Sequence, residues 1–108
     1  MAYYTYILRC ADGSLYTGIT TDPARRFAEH AAGKAGGGAK YTFAHPPVAY
    51  ECAFLSDSRS AASKLEAGIK GLTRAQKLRL IAGERDILPG LEAYERVDIA
   101  LVKGCEGK

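Results

Sequence analysis

The chain opens on a run of large residues rich in Tyr, Thr and Ile, Tyr3 to Cys10, which predicts a β-strand. Ala11-Asp12-Gly13-Ser14 follows, and Asp-Gly is a strong hairpin signal, so Leu15 to Thr20 is the returning strand. Alternation places Tyr4, Tyr6 and Leu8 on one face of the first strand. Tyr16, Gly18 and Thr20 share one face of the second. Whether these are the same face depends on a register that the sequence does not carry. Asp22 is a good helix N-cap and Pro23 a good first helical residue, giving a helix to about Ala32 that stops at Gly33. The glycine-rich stretch Gly33 to Lys40 is a loop. After Pro46-Pro47 a third strand runs from Val48 to Leu55.

Ser56-Asp57-Ser58 supplies cap candidates for a second helix, whose buried stripe is Ala62, Leu65, Ile69 and Leu72. Thr73-Arg74-Ala75-Gln76 matches a capping box, so a third helix starts there, with Leu78, Ile81 and Ala82 as its apolar positions and Gly83 at its end. Beyond it the pattern is weak, with a break at Pro89-Gly90 and a short helix or strand within Tyr94 to Val102. Strand, strand, helix, strand, helix, helix predicts an α+β domain: a small three-stranded antiparallel sheet flanked by helices. Residues 1–83 form this domain, and residues 84–108 are a C-terminal extension too short to be an independent one.

Composition narrows the class. At 108 residues, 47% hydrophobic and 25% charged, the chain suits one globular domain. No run approaches the roughly 20 apolar residues of a membrane span, and the N-terminal run is too short and tyrosine-rich for a signal peptide. Cys10, Cys52 and Cys105 are odd in number and widely spaced, which argues against a disulfide framework or a zinc site and fits a reducing cytoplasm. The net charge of +3 divides into +5 over residues 1–83 and −2 over residues 84–108. A basic body is compatible with a polyanionic partner.

The chemistry concentrates around the hairpin and the first helix. Arg26 and His30 lie four apart on one helical face, just after Tyr16-Thr17-Gly18. Arginine grips phosphate with parallel hydrogen bonds, histidine titrates near neutrality, and a carboxylate such as Glu66 suits a hard divalent cation. Taken singly each has an ordinary explanation: tyrosines fill cores, helix charges face solvent, and Glu66 pairs with Lys70 one turn on. Their co-occurrence carries the functional reading. His45 precedes Pro46-Pro47 and is assigned nothing.

Over about residues 3–83 the chain resembles the GIY-YIG nuclease domains, in particular small stand-alone bacterial ones, and is similar to the N-terminal nuclease domain of the excision nuclease UvrC. Tyr4-Thr5-Tyr6 stands for the first motif and Tyr16-Thr17-Gly18 for the second, with Arg26, His30 and Glu66 following in family order. The resemblance implies a Mg²⁺- or Mn²⁺-dependent endonuclease that hydrolyses DNA phosphodiesters, with Glu66 as metal ligand. It implies Tyr16 as the group that takes the water proton, with His30 as relay, phosphate contact or alternative base. Tyr6 is an orienting hydroxyl and Arg26 the phosphate clamp. Gly18 is small so that phosphate or a neighbouring helix can approach. Lys34, Lys40, Tyr41 and Lys70 are candidate DNA contacts. The pattern departs in places: residues 67–83 lack the family asparagine, Leu78 falling near its position, and Ile19 replaces a polar residue. The competing reading is a nucleic-acid-binding module of weak or no turnover on the same fold.

Overall fold

The computed structural model describes residues 2–32 and 47–97. β1 (Tyr3–Cys10) and β2 (Leu15–Thr20) form the hairpin. Gly13 takes φ 87° in its turn, and the Asp12 carboxylate accepts from the Ser14 N–H at 3.0 Å. α1 (Pro23–Ala32) starts where expected, with Asp22 Oδ1 accepting from the Arg25 N–H at 3.1 Å. β3 (Pro47–Ser56) leads into α2 (Arg59–Lys70), whose cap is Ser58, accepting from the Ala61 N–H at 3.1 Å. Both halves of the Thr73–Gln76 capping box are made at the start of α3 (Arg74–Ile81). A short 3₁₀ turn at Leu91–Ala93 precedes β4 (Glu95–Val97).

The architecture is α+β and antiparallel, but the sheet has four strands rather than three, in the order β2-β1-β3-β4. The extra strand is only Glu95–Val97, too short to show any alternation. Long-range contacts hold it. Arg96 donates to the carbonyls of Leu80 (3.0 Å) and Ile81 (2.8 Å) at the end of α3. Arg85 donates to the carbonyls of Leu91 and Tyr94, with its guanidinium 5.8 Å from the Phe54 ring centre. The Tyr94 hydroxyl donates to the Ala61 carbonyl at 2.7 Å. Residues 84–97 therefore pack onto the same core as α2 and α3.

The sheet is covered on both faces. Ile7, Cys52 and Phe54 pack against Leu65 and Ile69 of α2, Leu80 of α3, and Leu91. On the other face Tyr6, Leu8, Tyr50 and Ala53 cluster with Tyr16, Val97 and Phe27 of α1. The apolar positions expected on α3 need correction: Leu78 is 46% exposed and Ala82 is exposed, whereas Leu80 is fully buried. Residues two apart on a helix point to nearly opposite sides, so only one of the two leucines can face the core.

A register shift in the β1–β3 pairing, between Ile7 and Leu8, matters for the site. Strict alternation would put Tyr50 on the face of Cys52 and Phe54. Because Ile7 pairs with Cys52 but Leu8 with Tyr50, Glu51 is the extra residue and Tyr50 turns to the Tyr6 face.

Candidate active site

The β1–β2 register answers the question that alternation left open. Tyr6 lies opposite Gly18, Leu8 opposite Tyr16 and Tyr4 opposite Thr20, so both motifs share one face. α1 lies over that face and lowers His30 onto it. The Tyr6 hydroxyl is 2.9 Å from His30 Nε2, with both residues 1% exposed. The Tyr16 ring is edge-on to His30 at 5.5 Å and tilted to Tyr6 at 6.4 Å. Tyr16 itself is half-buried, so it alone of these rings reaches solvent.

Gly18 makes room for a tyrosine ring rather than for phosphate or a helix. A Cβ there would sit 2.5 Å from the Tyr6 hydroxyl oxygen and 2.7 Å from Cζ. Only a residue without a side chain lets Tyr6 lie across β2 and reach His30.

Arg26, one turn before His30, donates from Nη1 to Glu29 Oε1 at 2.8 Å, and its charge acts on the Tyr6 hydroxyl. The Tyr6 hydroxyl and His30 Nε2 share this buried hydrogen bond, and which of them donates depends on the imidazole tautomer. Burial, reinforced by the Tyr16 phenol, pushes Tyr6 well above the ordinary tyrosine range, although Arg26 pulls the other way. Burial, with the Arg26 charge second, pushes His30 down to about 4. The expectation that His30 titrates near neutrality therefore fails in this fold. It is neutral at physiological pH, with Nε2 already engaged.

Glu66 comes from α2, whose Leu65 and Ile69 pack on the opposite face of the sheet, and its charge is the smallest of the influences on the Tyr6 hydroxyl. Its side chain is 26% exposed and pairs with Lys70 Nζ at 3.2 Å. Lys70 is thus paired with Glu66. Lys34, Lys40 and Tyr41 lie outside the described residues. Among the described residues no group of three or more His, Cys, Asp or Glu side chains gathers as a metal cage. A lone, accessible carboxylate held by a flexible lysine suits a largely hydrated hard cation that draws its other ligands from water and phosphate.

Sequence reasoning missed Tyr50. Its ring packs edge-on against Tyr6 at 5.1 Å and against Phe27 at 5.5 Å, and its hydroxyl donates to the Pro23 carbonyl at 2.7 Å. It fastens the start of α1 to the sheet and so sets where Arg26 and His30 fall. No local signal marks it, because the register shift that turns it inward is a property of the paired strands.

The family model described as the GIY-YIG catalytic domain matches residues 2–79. A UPF0213 protein of Fusobacterium nucleatum is 42% identical over 99 residues, covering 92% of this chain and 96% of that protein. One from Natronomonas pharaonis is 51% identical over 82 residues, covering 76% of this chain and 93% of its own. Among solved structures, the solution NMR structure of a UPF0213 protein from Bacillus halodurans is 41% identical, covers 76% of this chain and 84% of that one, and has a TM-score of 0.49. Among the described residues no helix is long and apolar enough to cross a membrane.

Proposed function

The chain belongs to the GIY-YIG catalytic domain family, a nuclease superfamily, and from that membership we propose that it is a divalent-metal-dependent DNA endonuclease. The observation that carries the reading is the buried Tyr6–His30 hydrogen bond at 2.9 Å, with Arg26 one helical turn before His30 and the half-buried Tyr16 ring beside it. These are phosphate-handling groups, preorganised where water is largely excluded.

Each side chain has a role that its surroundings favour. Arg26 would clamp non-bridging phosphate oxygens with its guanidinium. Removing such a preorganised contact typically costs roughly 10²–10³ in rate. Tyr16 is the group to accept the proton of the attacking water, since it is the tyrosine that substrate can reach. Tyr6 is held protonated by burial and serves as an orienting hydroxyl. His30 is neutral and engaged, which suits a relay that fixes Tyr6 better than an independent base. Gly18 gives Tyr6 its place. Glu66 would hold Mg²⁺ or Mn²⁺, which neutralises charge on phosphate oxygens when bound.

The same reading takes residues 1–83 as the catalytic unit, with Lys34, Lys40, Tyr41 and Lys70 as DNA contacts. It puts the protein in the cytoplasm, acting on structured or single-stranded DNA in repair or recombination. The test compares wild type with Glu66→Ala on labelled single-stranded, duplex and branched DNA in Mg²⁺, Mn²⁺ or EDTA. Metal-dependent cutting that Glu66→Ala abolishes is the expected result. Salt-sensitive binding with no cutting in either metal would leave a nucleic-acid-binding module of the same fold.

A further inference from the structure

We infer that Glu29 is a positioning residue for Arg26, pinning its guanidinium at Nη1 and lowering its hold on phosphate before reaction. The inference rests on the nuclease reading for its kinetic half and on geometry alone for the rest. Glu29 lies one turn after Arg26 and accepts from Nη1 at 2.8 Å with Oε1. Its other oxygen, Oε2, faces Arg25 Nε at 3.9 Å, and Arg25 Nε in turn lies 4.0 Å from Asp22 Oδ2, on the residue that caps α1. The carboxylate is therefore braced on both sides. Arg26 and Glu29 side chains are 24% and 31% exposed, unlike the 66% of Arg25. The Arg26 hydrogen bond, the largest influence on Glu29, holds its carboxyl below the usual range, so it is charged at neutral pH.

A guanidinium is planar and rigid. Glu29 fixes one edge of it, at Nη1, and so limits its rotation. Yet a carboxylate 2.8 Å from the clamp also competes with phosphate for the same charge. Glu29 thus has opposite effects on ground-state binding and on orientation, and two substitutions separate them. Glu29→Gln keeps an acceptor for Nη1 and removes the charge. Glu29→Ala removes both.

The test measures DNA affinity in EDTA, kcat and KM in Mg²⁺, and the ¹⁵N NMR line shapes of the Arg26 guanidinium, which report its rotation. Both variants are expected to bind DNA about 3-fold tighter or more at low salt. Glu29→Ala is expected to lose about 10- to 100-fold in kcat, and Glu29→Gln no more than about 3-fold. Arg26 rotation should be slow in wild type, fast in Glu29→Ala and intermediate in Glu29→Gln. Unchanged Arg26 line shapes in Glu29→Ala would overturn the inference, as would equal kcat losses in the two variants. If wild type cuts no DNA, the nuclease reading fails, and the NMR and affinity measurements still decide the role of Glu29.

Discussion

Replacing Gly18 with alanine tests how tightly the two motifs are locked together. The new Cβ would lie 2.5 Å from the Tyr6 hydroxyl oxygen, 2.7 Å from Cζ and 3.2 Å from Tyr16 Cε2. Carbon–oxygen contacts settle at about 3.3 Å or beyond, so the hydroxyl must yield by roughly 0.8 Å. Tyr6 has little freedom to do so, being 1% exposed and held by His30 at 2.9 Å and the Tyr50 ring at 5.1 Å. A shift of that size disturbs the 2.9 Å contact with His30. The alternative is for β2, an edge strand, to move away from β1 and carry Tyr16 with it. Overpacking of this kind costs about 1–3 kcal/mol. For a domain of this size the melting temperature should fall by at least about 4 °C. Thermal and urea unfolding give the energy, and the His30 imidazole NMR signals report the disturbed contact. Adding Tyr6→Phe removes the closest atom but leaves Cζ, so it should recover only part of the loss, with clear non-additivity between the two sites. A melting temperature within about 2 °C of wild type, with the His30 signals unmoved, would refute the account of Gly18 as space for Tyr6.

The acid sensitivity of the fold follows from His30, whose pKa falls from 6.5 to about 4 on folding, through burial first and Arg26 second. The unfolded chain then takes up the proton first, so this stability is present above pH 6.5 and is lost as the pH falls toward 4. It is on the order of 3 kcal/mol, and the slope of melting temperature between pH 6.5 and 4.5 should flatten in His30→Gln; parallel slopes would contradict it. Thr17, 3% exposed, carries a buried hydroxyl with no hydrogen-bond partner among the described residues. Thr17→Val keeps the shape and removes a group whose unpaired burial costs about 1–3 kcal/mol, so calorimetry should show a higher melting temperature, and a fall would reveal a partner for the hydroxyl.

Local chemistry made much of this protein legible before any fold was in view. The Asp-Gly turn, the Asp22 cap, the Thr73–Gln76 box and the Arg26–His30 spacing each depend on residues within a few positions of one another. Short-range hydrogen bonds and helical geometry are the same in any fold, so such features can be read directly. The two motifs, the arginine, the histidine and the glutamate were visible as candidates for the same reason.

What needed the tertiary structure depended on strands and layers meeting. The β1–β2 register decided that Tyr6 and Gly18 oppose each other, and so why Gly18 is small. The shift beside Leu8 turned Tyr50 onto the site against the alternation of its own strand. β4 has three residues and exists because Arg96 and Leu91 are anchored elsewhere. Leu80 rather than Leu78 is buried because the core, not the composition of α3, sets which side faces in. The same holds for the chemistry: the sequence names a histidine, but only its burial under α1 beside Arg26 makes it a neutral partner of Tyr6 instead of a group titrating near pH 7. Side-chain identity is a local property, whereas proton affinity and orientation belong to the surroundings that the fold assembles.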